Sequence, residues 1–135
     1  MSWDIYVMRF DRAYAAVEDI PDGAQPQPLG SPDVIRASIS REFPATDWND
    51  PSWGVWDGAT GSIEFSVDSS EPVTSLALHV RAGEDVVAPI VRLCRLNGWQ
   101  AIDTGSGGFL ELAESPEKGL AEWRAYRDRV VGDSQ

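Results

Sequence analysis

Apolar and polar positions alternate with a period of two over much of the chain. In residues 3–10, Trp3, Ile5 and Val7 point one way and Tyr6, Met8 and Phe10 the other. A strand with apolar side chains on both faces belongs inside a sheet, or at an edge with one face covered. Residues 62–68 set Ile63, Phe65 and Val67 inward against Glu64, Ser66 and Asp68 outward. Residues 73–81 repeat the pattern, with Leu76, Leu78 and Val80 inward and Ala77, His79 and Arg81 outward. The turn Ser69-Ser70-Glu71-Pro72 joins these two strands into a hairpin. Shorter strands are predicted at 53–56, 99–104 and 109–112, the last two linked by the tight loop Gly105-Ser106-Gly107-Gly108.

Three segments change to helical spacing. Ser31 is suited to cap a helix that has Pro32 at its first position and Asp33 at the positive end of its dipole. Ile35, Ile39 and Phe43 recur every four residues along it, and Pro44 ends it. A second helix starts within 85–89 and runs to Asn97, with Gly98 as its terminating residue. Val86, Ile90, Leu93 and Asn97 trace one face, and Val87, Val91 and Cys94 broaden it. Ser115-Pro116-Glu117 opens a C-terminal helix with Leu120, Trp123, Tyr126 and Val130 on one side. The predicted order is β-α-β-β-β-α-β-β-α. That reads as an α+β two-layer sandwich, a mainly antiparallel sheet with about three helices. Helices on one face would leave the other face of the sheet open.

Composition narrows the function classes. At 135 residues the chain suits a single domain, 1–135. Its hydrophobic content of 42% and six Trp supply a core without staples, and the lone Cys allows no disulfide framework. The net charge of −11 argues against nucleic acid or an anionic membrane as the main ligand. The start Met-Ser-Trp-Asp-Ile-Tyr-Val has no basic region followed by a long apolar run, so a cytoplasmic location is expected.

The segments Trp3-Asp4-Ile5-Tyr6-Val7, Asp50-Pro51-Ser52-Trp53-Gly54, His79-Val80-Arg81-Ala82-Gly83 and Asp103-Thr104-Gly105-Ser106-Gly107 resemble a family of small acidic bacterial proteins with no established activity. The resemblance spans nearly the whole chain. It implies a bacterial single-domain protein and carries over no catalytic residue.

Several chemistries are tested by their motifs. Asp103-Thr104-Gly105-Ser106 after the apolar pair Ala101-Ile102 has the form of an aspartic-protease signature. That chemistry needs two such Asp sharing a proton, and the chain has one motif. A hairpin capped by Asp103 is the expected reading. Cys94 with His79 is a formal thiol and base pair, but a free Cys on an apolar helix face is expected to be packing. Thr104 stands where a nucleophile elbow around Ser106 needs Gly, and no phosphate-loop Lys follows the glycines. Asp47, Asp50 and Asp57 lack the alternating spacing of a calcium loop. No metal and no cofactor are expected.

Two surfaces remain. Trp48, Asp50, Trp53 and Trp56 form an aromatic and acidic segment fit for a protein interface or a sugar ring. Trp48, between Asp47 and Asn49, is expected at the surface. Glu64, Ser66, His79 and Arg81 share the outward face of the central hairpin, with Glu64 opposite His79 in one allowed register. Tyr6 and Met8 extend this face if the first strand joins the sheet. The expected function is a non-enzymatic domain that binds a basic protein partner, for example an immunity or inhibitor protein. The alternatives are a small hydrolase-like enzyme using His79 with Glu64 or Asp103, and a small-ligand or sugar-binding domain built on 48–56. A second copy of the chain is another candidate occupant of the open face.

Overall fold

The computed structural model describes residues 1–133. Six strands form one antiparallel sheet: β1 (Trp3–Met8), β2 (Asp47–Asp50), β3 (Trp53–Gly58), β4 (Gly61–Val67), β5 (Leu76–Arg81) and β6 (Gln100–Asp103). They lie in the order β2-β3-β4-β5-β1-β6. Three helices accompany them: α1 (Pro32–Glu42), α2 (Val87–Asn97) and α3 (Glu117–Asp133). The α+β class and the mainly antiparallel sheet are as expected. The chain order is β-α-β-β-β-β-α-β-α, which differs from the expected order at two places.

The first is β2, where the sequence pattern predicts no strand. Asp and Asn are poor strand formers. The segment becomes a strand by pairing with β3 at the sheet edge, Asp47 opposite Val55 and Asp50 opposite Trp53. The second is the expected strand 109–112. Only Phe109 pairs, with Ile102, and Leu110–Leu112 form a single 3-10 turn instead. Side chain and loop satisfy the outer edge of β6 in place of a strand. The Ala101 amide donates to the Glu111 carboxylate at 2.6 Å, and the Asp103 amide donates to the Gly108 carbonyl at 2.9 Å.

Period two decides which side chains meet the helices. Trp3, Ile5 and Val7 of β1, Ile63, Phe65 and Val67 of β4, and Leu76, Leu78 and Val80 of β5 are all buried on one face. They share a core with Ile35 and Ile39 of α1, Ile90, Leu93 and Cys94 of α2, and Leu120 of α3. The Ser31 hydroxyl accepts from the Val34 amide and caps α1, with Pro32 at its first position. The apolar stripe expected along α3 holds only at its start. Leu120 is fully buried and Trp123 half-buried, while Tyr126 and Val130 are exposed.

The opposite face is half covered. Phe10, Tyr14 and Phe109 form a second, smaller core there, with Met8, Val17, Ile20 and Ile102 packed around it. Gln100 ties this segment down: its side chain accepts from the Tyr14 amide at 3.0 Å and donates to the Tyr14 carbonyl at 2.9 Å. The segment that follows β1 therefore covers the β1–β6 end. Among the described residues no hydrophobic cluster covers this face over β3, β4 and β5.

Candidate functional site

The strand registers place every residue of the uncovered face. Trp53 stands opposite Ser66, Ser66 opposite Ala77, and Ala77 opposite Tyr6, in one row across four strands. The next row runs Val55, Glu64, His79 and Asp4. The register that sets Glu64 opposite His79 is the one found. The two do not pair as acid and base, however. Glu64 takes the Arg81 guanidinium, with Nη1 donating to Oε1 at 2.5 Å. His79 turns to the other side and donates from Nδ1 to Asp4 Oδ1 at 2.9 Å. An ionised carboxylate can only accept, so the proton of a neutral ring sits on Nδ1 and the lone pair on Nε2.

Trp53 completes the site. Its ring lies over His79 with the centroids 5.7 Å apart and the planes within 23°. It reaches His79 diagonally across β4, over the gap between Ser66 and Glu64. Trp53 is 37% exposed and Tyr6 is 44% exposed, so two aromatic side chains stand in solvent on this face. The carboxylates around them are Asp4, Glu64, Asp57 and Asp68, against one guanidinium, Arg81. Hydrogen bonds from Ser70 and Thr74 hold the Asp68 carboxyl below the usual carboxylate range.

The other aromatic candidates go elsewhere. Trp48 and Trp56 alternate with Trp53 and reach the helix side of the sheet. Trp56 meets Phe43 edge-on at 5.1 Å. Trp48 packs on Phe65 at 6.4 Å and donates its indole N–H to Ser40 at 3.0 Å. Trp48, expected at the surface, is half-buried against the core. Gly54 makes its place, because a Cβ there would lie 2.6 Å from the Trp48 ring. Trp53 thus lies on the opposite face of the sheet from Trp48 and Trp56. Asp50 is exposed and closes a local turn, accepting from the Ser52 amide at 2.9 Å and its hydroxyl at 2.7 Å, which lower its pKa. Among the described residues no group of three or more acidic, His or Cys side chains converges as a metal site.

The remaining catalytic candidates are separated by the sheet. Asp103 pairs with Ile5 and faces the helices, away from His79. It is 1% exposed. Its Oδ1 accepts from Trp3 Nε1 at 2.6 Å and from the Gly105 amide at 2.7 Å, so it caps the hairpin and anchors an indole. The pairing of His79 with Asp103 is thereby corrected. Cys94 is fully buried on α2, on the helix side, and burial pushes its thiol well above the usual range. A hollow of about 690 Å³ lies along the outer face of α2, beside Val91, Leu96 and Pro116. Both guanidiniums there are engaged, Arg92 by Glu42 and Arg95 by the Glu111 carbonyl.

Sequence reasoning puts Ala77 and Asp68 on the outward face without counting them in the site, and it misses Asp4. The signal for Asp4 was present, since alternation in the first strand puts it on the face of Tyr6. No family model matches the chain, and no curated protein or solved structure matches it. Among the described residues no helix is long and apolar enough to cross a membrane.

Proposed function

We propose that this chain is a non-enzymatic binding protein whose uncovered sheet face docks a basic protein partner. One observation carries the reading. Trp53 and Tyr6 stand exposed on an antiparallel face whose charged groups are mainly carboxylates. Exposed aromatics supply anchor area, and like-signed charge around them steers a partner of opposite sign. An immunity or inhibitor protein against a basic toxin is one concrete form. The chain's net charge of −11 acts in the same direction over longer range.

A second copy is a poorer occupant. A twofold interface sets the same patch against itself, so the carboxylates of one face would meet those of the other. The enzyme reading keeps one supporting observation, the orientation of His79 by Asp4 at 2.9 Å. That pair resembles a general base with its orienting acid. Among the described residues, however, no hydroxyl or thiol hydrogen-bonds the other ring nitrogen.

The test is affinity capture from the native host with tagged wild type and Trp53→Ala, at low and high salt. The expected result is a basic protein held by wild type, lost with Trp53→Ala and weakened by salt. Identical recovery by the two chains, both folded by circular dichroism, would remove the face from consideration. Recovery of nothing by folded wild type would turn the reading toward the general-base alternative.

A further inference from the structure

A specific hollow lies within the uncovered face. Between the exposed Trp53 and Tyr6, the row across the sheet holds two small side chains, Ser66 and Ala77. A depression of about 310 Å³ opens at the Tyr6 end of this row, and Trp53 lies outside its lining. Its floor is Ala77, with Ser66 and Ser75 beside it. Its walls are Tyr6 and Met8, and Asp68 stands at one end. The hollow thus offers an aromatic wall, a thioether, hydroxyl acceptors and one carboxylate.

Asp68 is fixed in place. Its Oδ2 accepts from Ser70 Oγ at 2.5 Å and from Thr74 Oγ1 at 3.1 Å, and its Oδ1 accepts from the Ser70 amide at 3.3 Å. A carboxylate has about four acceptor positions, so these three bonds leave one, on Oδ1, for a further donor. Arg81, the one guanidinium placed on this face, is held by Glu64 at 2.5 Å in the neighbouring rows, outside the hollow.

We infer that this hollow receives an arginine side chain of the docked partner. The inference rests on the docking reading above and adds the chemistry of one contact. A guanidinium is planar, so it stacks on a Tyr ring, and its N–H groups reach a carboxylate and hydroxyls together. An ammonium satisfies the charge but not the stacked plane. A neutral apolar side chain would offer no donor to the remaining acceptor position of Asp68 or to the Ser66 and Ser75 hydroxyls. The surrounding charge favours the same sign, since Asp4 and Glu64 occupy the adjacent row.

Two measurements on the full chain test this. The first follows backbone amide shifts while titrating Nα-acetyl-arginine amide at low salt, against its neutral isostere Nα-acetyl-citrulline amide. The expected result is a saturable shift at Tyr6, Ser66 and Ala77 with arginine, at least about tenfold weaker with citrulline. Asp68→Asn should weaken arginine by a similar factor, and Ala77→Leu, which fills the floor, should abolish the shift. Equal shifts with both compounds would overturn the inference, as would shifts spread evenly over the acidic surface. The second measurement repeats the capture with Ala77→Leu and Asp68→Asn. Loss of the captured protein supports the inference. Wild-type capture by both variants, with loss in Trp53→Ala, overturns the hollow and leaves the docking face standing. Wild-type capture by Trp53→Ala overturns the docking reading itself, whatever the arginine titration gives.

Discussion

Trp53 on β3 and His79 on β5 stack 5.7 Å apart across the intervening β4, and Asp4 holds the far side of the imidazole at 2.9 Å. Side chains thus link three strands on the solvent side of the sheet. The pairing adds area to an exposed surface and little to the core. Trp53→Ala should therefore cost about 1 kcal/mol or less of folding stability. Trp3→Ala should cost about 3–5 kcal/mol, because Trp3 is fully buried. Urea unfolding of the two variants checks the contrast. A Trp53→Ala loss as large as that of Trp3→Ala would mean that Trp53 is a structural residue rather than a binding one.

Asp103 and Gly119 give a prediction whose sign opposes helix propensity. Gly119 lies within α3, where alanine would ordinarily gain about 1 kcal/mol. A Cβ built on Gly119 falls inside the Asp103 carboxylate. That carboxylate cannot move without loosening its bonds from Trp3 Nε1 and the Gly105 amide. Gly119→Ala should thus lower stability by about 2 kcal/mol or more. Ala125→Gly, at an exposed position of the same helix, should cost about 1 kcal/mol through propensity alone. Thermal melts of both variants decide it, and a raised melting temperature for Gly119→Ala would refute the packing argument.

The contrast between β4 and β2 explains how far the sequence could be read. Residues 61–67 alternate cleanly because one face is buried and the other is not, and burial is what alternation records. Asp47-Trp48-Asn49-Asp50 carries almost no such record: β2 is an edge strand whose one large apolar side chain packs over Gly54 of its neighbour. The site followed the same division. Glu64, Ser66, His79 and Arg81 were legible because each lies on an alternating strand. The partner of His79 was not, since nothing local to residues 62–81 says that β1 lies beside β5. The separation of Trp48 and Trp56 from Trp53 depended on the register of that same weak edge.

Cys94 offers a test of the helix-side core. It is fully buried, burial pushes its thiol up, and the neighbouring Glu111 carboxylate pushes in the same direction. Thiolate is the reactive form, so the native protein should be inert to an aromatic disulfide reagent at about pH 8. In urea it should react with one equivalent, since the chain has a single Cys. Native reaction as fast as that in urea would show that α2 opens readily or that the thiol reaches solvent.

Glu111 should give the folded protein a pH dependence of opposite sign to that of its surface acids. The side chain is buried against β6, Oε1 accepts from the Ala101 amide, and Oε2 has no partner among the described residues. Burial raises its pKa, outweighing the bond from Ala101 and the nearby Arg95. The folded state then binds this proton more tightly than the unfolded chain. Its contribution to stability is complete below the ordinary carboxylate range and is lost as pH rises through the raised value. Asp50 and Asp68 have lowered values and act the other way, contributing above the ordinary range and losing that contribution as pH falls. Subtracting a variant isolates the Glu111 part. Glu111→Gln keeps an acceptor for Ala101 and has no proton to release. The stability of wild type relative to Glu111→Gln should therefore fall in urea unfolding as pH rises from the ordinary carboxylate range. A difference that stays flat as pH rises would mean that Glu111 ionises as freely in the folded protein as in the unfolded one.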